Sequence, residues 1–256
     1  MGGDEVAWIP TVTACPLQQA FIPLLEALTA GLPRQFPALI HSIYLYGSVA
    51  RGEALPGVSD LDITLLLIKP ADSGALQRLE AWRQAFQLEQ RIVSKVDVDI
   101  GNVDEALAPE HHDSWGFWLK HHCRCLWGED LSAAFPLFRP DRRIALAVNA
   151  DLRPVLARYR EQLLQARTVS DERRLKREAA RKLIRATNML RAEGSPFWPI
   201  TLTDYAEQLL ALYAEQRDEM NYWLAHAAGE ANDADFSDRM MRFLDWIEAQ
   251  KKITPA

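Results

Sequence analysis

Asp60-Leu61-Asp62 opens the run Asp60–Ile68, and a strand's period of two turns both carboxylates to one face while Leu61, Ile63, Leu65 and Leu67 turn to the other. Two carboxylates about 7 Å apart along a strand suit hard divalent cations. In two-metal sites the ions lie about 3.5–4 Å apart and clamp the attacking and leaving oxygens of a phosphoryl displacement. Mg²⁺ favours such a site, because it takes one or two carboxylates and completes its shell with water and phosphate oxygens.

The residues just before this pair supply a place for phosphate. Ser42-Ile43-Tyr44-Leu45-Tyr46 is β-branched and aromatic enough to form a strand, so Gly47-Ser48 falls where the strand ends and the chain turns sharply. Backbone N–H groups in such a turn can face phosphate oxygens. A later run, Ser94-Lys95-Val96-Asp97-Val98-Asp99-Ile100-Gly101, again places two acids, Asp97 and Asp99, on one face, with Val96, Val98 and Ile100 on the other.

Gly47-Ser48-Val49-Ala50-Arg51-Gly52-Glu53, the Pro56-Gly57 turn and Ser59-Asp60-Leu61-Asp62 together resemble the signature of the DNA polymerase β-like nucleotidyltransferases. Residues 42–101 carry the likeness, and the larger architecture is similar to the aminoglycoside adenylyltransferase group. The resemblance implies catalysis and metal binding by Asp60, Asp62 and a third carboxylate on the later strand. Asp97 fits that third role because the family's acid follows the first apolar residue of the strand; Asp99 is the alternative ligand or supporting acceptor. In related small-molecule transferases the third carboxylate also serves as general base. Also implied are two Mg²⁺ ions, ATP as nucleotide donor, and nucleotide binding by Gly47, Ser48 and Arg51. Helical-domain cations join them, with Arg181, Lys182 and Arg185 the candidates and Lys182 and Arg185 selected.

At 256 residues and 48% apolar content the chain is long enough for two modest domains. Asp4, Glu5 and Pro10 replace the basic and apolar parts of a secretory leader, and no apolar run is long enough to span a membrane. Cys15, Cys123 and Cys125 are an odd, sparse set that fits a reducing cytoplasm. The net charge of −6 argues against nucleic acid as the partner and favours a cationic or neutral acceptor.

An amphipathic helix within 16–38, interrupted by Gly31 and Pro33, should precede the first strand, and Leu76, Leu79, Trp82 and Phe86 mark another between the carboxylate strands. The expected fold is α+β: a nucleotidyltransferase-type mixed β-sheet domain over 1–138, with helices on the face away from Asp60, Asp62 and Asp97, followed by an all-α helical-bundle domain over 139–256. Cys123–Leu131 should close the sheet domain and Pro136–Pro140 the linker. Helical periodicity then covers 141–167, 171–193, 201–228 and 235–251, with Asp151, Ser170, Thr203 and Asp235 at caps or in first turns.

Several clusters admit two uses. His111, His112, His121 and His122 with Cys123 and Cys125 lack structural-zinc spacing and read as a surface or interdomain cluster. The basic residues from Arg173 to Arg191 form either a solvated, balanced face or a phosphate contact. Trp115, Phe117, Trp118, Phe197 and Trp198 would pack domains together or stack on a base. Asp204 and Glu207 lie on an exposed helix face or meet an amine.

The expected reaction is attack by a hydroxyl of a small molecule, with aminoglycosides the leading class, on the α-phosphate of ATP. The acceptor would sit between the two domains. A protein-modifying adenylyltransferase, a nucleic-acid-end transferase and a non-enzymatic nucleotide-binding regulatory module are the alternatives; charge disfavours the second, and the retained carboxylates disfavour the third. Base preference and oligomeric state are not encoded legibly.

Overall fold

The computed structural model describes residues 8–231, 233 and 235–253, so Asp4, Glu5 and the outermost ends of the two expected domains lie outside the described residues. The chain divides into two compact units, one spanning Trp8–Phe138 and the other running from Arg139.

The first unit is built on a mixed sheet of β1 (Ile40–Tyr46), β2 (Leu61–Leu67), β3 (Val96–Asn102) and β4 (Arg124–Gly128), in the order β3-β2-β1-β4. β1 runs antiparallel to β2 and β4; β2 and β3 are parallel. A parallel pair needs a crossover, and α3 (Ser73–Glu89) provides it, started by Asp72, whose side chain accepts from Ala75 N–H at 2.7 Å. Ile43, Leu45, Leu61, Ile63, Leu65 and Val96 point to one side and form a core with α1 (Ile22–Gln35) and α3.

α1 continues through Gly31 and Pro33 rather than breaking there. Glycine and proline inside a helix cost about 1 and 3 kcal/mol. Leu24, Leu25, Leu28 and Leu32 are all buried, and each such burial contributes about 1.5–3 kcal/mol, so packing outweighs propensity.

A second departure concerns the face of the sheet that carries Asp62. Helices were expected only on the opposite side, yet a one-turn helix α4 (Val103–Leu107) leads into π-helical stretches His112–Gly116 and Trp118–His122. These cover part of the carboxylate face: a Cβ at Gly101 would lie 2.5 Å from Trp115 Cζ2, and Trp118 Nε1 donates to Thr64 Oγ1 at 3.3 Å.

The second unit is helical: α5 (Arg142–Ala147), α6 (Leu152–Gln165), α7 (Val169–Ala186), α8 (Leu202–Leu212), α9 (Arg217–Ala228) and α10 (Phe236–Ile253). Leu183, Trp223, Phe236 and Leu244 lie in its core. Two of the expected continuous helical stretches are each divided. Asn149 Nδ2 donates back to Ala145 O at 2.9 Å where α5 ends, and Tyr213 leaves helical geometry to pack edge-on to Trp246, 5.2 Å between centroids. Among the described residues no helix is long and apolar enough to cross a membrane.

Candidate active site

β1 ends at Tyr46, and Gly47 reverses the chain with φ +73° into the single-turn helix α2 (Gly47–Ala50). Glycine is required twice over at this position. A left-handed backbone strains other residues, and any Cβ would fall inside the carboxylate of Asp62. Val49 and Ala50 are fully buried and anchor the turn, while Glu53 N–H donates to Ser48 O at 3.0 Å. Arg51 lies on the solvent side and donates from Nε to Glu53 Oε2 at 2.8 Å. Gln18 clasps the following residue, donating to Ala54 O at 3.0 Å and accepting from Ala54 N–H at 2.9 Å. Nothing in the sequence near Gln18 announces that contact, because its partner lies in a distant segment.

The strand register gathers the acids. Asp62 pairs laterally with both Tyr46 and Asp97, and Asp99 pairs with Thr64, one pleat further along. Three of the four carboxylates have partners, each a different one. Asp60 Oδ1 accepts from Ser94 Oγ at 2.5 Å, Asp97 Oδ1 meets Lys95 Nζ at 2.5 Å, and Asp99 Oδ2 accepts from the Tyr46 hydroxyl at 2.7 Å. Asp62, lying against Gly47, has neither a hydrogen-bond nor an ion-pair partner for its side chain among the described residues.

Burial pushes the Asp62 carboxyl up to about 7, and the charges of Asp97, Asp60 and Asp99 push the same way against the smaller pull of Arg51. The Tyr46 phenol is raised well above its ordinary value by burial and by Asp99 and Asp62, so it stays protonated and serves as a donor. Among the described residues no three His, Cys, Asp or Glu side chains stand in the arrangement of a ready-made metal centre. Asp60, Asp62 and Asp97 are brought to one end of the sheet, but Ser94 and Lys95 hold the outer two. The donor set nonetheless fits a hard divalent cation: its atoms are carboxylate oxygens, and after burial their mutual negative charge also raises Asp62.

The aromatic and His/Cys residues after β3 do structural work within this unit. Trp118 packs edge-on to Tyr46, 4.9 Å between centroids, and Trp115 Nε1 donates to Glu105 Oε1 at 3.1 Å. His121 is buried rather than placed on a surface. Its Nε2 accepts from Phe138 N–H at 3.0 Å, leaving Nδ1 to donate to Pro10 O at 3.1 Å. Burial lowers its basicity. Burial likewise raises the Cys123 thiol, and pushes Cys125 up to about 11, so neither is an activated nucleophile.

In the helical unit, much of the basic face of α7 is already engaged. Lys176 is buried beside Glu172 Oε1 at 2.5 Å, Arg174 reaches Glu178 Oε1 at 3.0 Å, and Arg181 Nε donates to Ala227 O at 3.2 Å. Lys182 Nζ lies 3.4 Å from Asp151 Oδ1, while Arg185 is exposed. Beyond α7, Arg191 is buried with Nη2 donating to Ser195 O and Phe197 O at 2.6 and 2.8 Å, stacked over Trp198, while Phe197 itself is exposed. Asp204 is not available to an acceptor amine: it closes a capping box with Thr201 at the start of α8, which holds its carboxyl below the usual range.

Residues 26–112 match the family profile described as a nucleotidyltransferase domain, a span that includes the Gly47 turn and all four aspartates of the site. That span is a nucleotidyltransferase domain, and the protein is therefore an enzyme of nucleotidyl transfer. Among solved structures the chain is similar to a spectinomycin adenyltransferase, AAD(9) from Enterococcus faecialis, crystallised with ATP and spectinomycin. The TM-score is 0.45 at 13% identity, covering 90% of this chain and 98% of that one. No curated protein matches the chain in sequence.

Proposed function

We propose that the protein transfers AMP from ATP to a hydroxyl group of a small, cationic acceptor, with aminoglycosides the leading class and two Mg²⁺ ions as cofactors. The observation that carries this reading is the lateral pairing of Asp62 with Asp97, with Asp62 seated on Gly47 and left without a side-chain partner. Asp60, Asp62 and Asp97 would hold Mg²⁺, which when bound supplies charge neutralisation at the α-phosphate and the departing pyrophosphate.

The chain's own groups do the rest. The turn at Gly47 and Ser48 presents backbone N–H groups to the terminal phosphates, and Arg51 exchanges Glu53 for a phosphate oxygen. Lys182 and Arg185 are assigned to the same nucleotide. Asp97 completes the metal set or takes the acceptor's proton as the new oxygen–phosphorus bond forms and the bond to the β-phosphate breaks. The Tyr46 hydroxyl donates to Asp99 at 2.7 Å, which favours a supporting role for that acid. The choice of a cationic acceptor rests on the Asp-rich face and the net charge of −6.

The test is incubation with α-labelled ATP and Mg²⁺ against separate panels of aminoglycosides, cellular proteins and RNA. Label is expected on a small cationic compound and absent with Asp62→Asn. Label confined to a protein band would replace this reading with protein modification.

A further inference from the structure

The segment leading into β3 places a cation inside the acidic cluster. Lys95 O accepts from Leu61 N–H at 2.8 Å, which fixes the lysine backbone beside the head of β2. Its side chain meets Asp97 Oδ1 at 2.5 Å, while the preceding Ser94 donates to Asp60 Oδ1 at 2.5 Å and to Val58 O at 2.8 Å. One dipeptide thus occupies the two outer acids and leaves Asp62 open between them.

The other nearby cations are committed elsewhere. Arg83 binds Glu80 at 2.6 Å and Val96 O at 2.9 Å, and Arg51 binds Glu53 at 2.8 Å. Lys95 is therefore the cation in direct contact with the proposed metal-binding set. The contact is built to be broken: the side chains are 35% and 36% exposed, and ion pairs open to solvent hold weakly. A divalent ion at Asp97 competes with the ammonium for the same carboxylate, and the two cations repel each other across it.

We infer that Lys95 is an exchangeable internal cation, which neutralises Asp97 until a divalent ion binds and then leaves it. The inference rests on the assignment of Asp60, Asp62 and Asp97 to metal. It implies an order of events, with the incoming ion meeting the unpartnered Asp62 first and displacing Lys95 second.

Two measurements on the whole protein without nucleotide test it. Mn²⁺ binding, followed by the electron paramagnetic resonance of the free ion, should become about 3- to 5-fold tighter in Lys95→Met, the ratio set by the strength of an exposed pair. Circular dichroism checks that the variant is folded. Amine acylation of Lys95, read by mass spectrometry on the unaltered protein, should rise when Mn²⁺ is added. In Asp97→Asn it should already be high without the metal. Unchanged or weaker Mn²⁺ binding in folded Lys95→Met, or acylation of Lys95 that stays flat or falls with Mn²⁺, overturns the inference while leaving the metal assignment standing. No Mn²⁺ binding by the unaltered protein overturns both.

Discussion

At the head of the sheet Asp60, Asp62, Asp97 and Asp99 crowd together with Lys95 as the cation in direct contact, whereas on α7 the basic residues are spread along the helix and several are matched by Glu172, Glu178, Asp151 or a backbone carbonyl. Burial, reinforced by the neighbouring acids of the first arrangement, raises Asp62 to about 7. The second answers several of its charges directly, although Arg177 Nε is buried without a hydrogen-bond partner among the described residues. Like charges held together at a cost to stability need another reason to persist, and the proposed metal-dependent chemistry supplies one. Paired charges on a helix need none beyond solubility and packing.

The largest effect is expected from Asp62→Asn, which should lower nucleotidyl transfer by at least about 10³-fold. The same change should stabilise the metal-free fold at pH 8. With its carboxyl near 7 in the folded chain and near 3.8 when unfolded, Asp62 keeps a proton on folding that the unfolded chain has lost. Its contribution therefore worsens as pH rises from 3.8 towards 7 and stays unfavourable above. Urea unfolding in EDTA at pH 5 and pH 8 should show a smaller loss with pH in the variant, with a gain at pH 8 of about 1–2 kcal/mol. A variant less stable than the parent at pH 8 would remove the idea that this acid is held at a cost.

Strand register also distinguishes the acids within the cluster itself. Asp97 is directly beside Asp62, and Asp99 is one pleat away in the grip of Tyr46. Single-turnover rates should fall about 10²-fold for Asp97→Asn and less than about 10-fold for Asp99→Asn, with Tyr46→Phe following the latter. The reverse order would move the third-carboxylate role to Asp99.

On the helical side the expected losses are in stability. Arg191→Met removes a buried guanidinium that serves Ser195 O and Phe197 O and stacks on Trp198. It should cost about 2–3 kcal/mol in denaturant unfolding with kcat unchanged. A fall in kcat at intact stability would reverse the structural assignment.

The smallest effect is expected from Lys182→Ala and Arg185→Ala, each raising the KM for ATP about 3- to 10-fold with little change in kcat. If Lys182→Ala changes only thermal stability, the residue belongs with Asp151 and not with the nucleotide.

How far the sequence carries depends on how local each feature is. Gly47, Ser48, Asp60 and Asp62 are legible because a turn and a period of two act over a few neighbouring residues. The capping box of Thr201 and Asp204 is equally local, although Thr203 was read as the cap or first-turn residue and Asp204 as an exposed face or an amine contact. His121 was misread because its partners, Pro10 and Phe138, are remote in sequence and convert a polar residue into a buried connector. The division of the helices after Ala147 and Leu212 also depends on contacts that no periodicity records.

Alternation and turn chemistry are properties of adjacent residues, and they were enough to read strands carrying acids at one end of a sheet behind a glycine turn. Which acid stands beside Asp62, which acids are already held by Ser94, Lys95 and Tyr46, and which aromatic residues cover the carboxylate face were settled by packing in three dimensions. Those outcomes depend on strand register and on the approach of distant segments, and a one-dimensional pattern does not specify where a neighbouring strand will slide to rest.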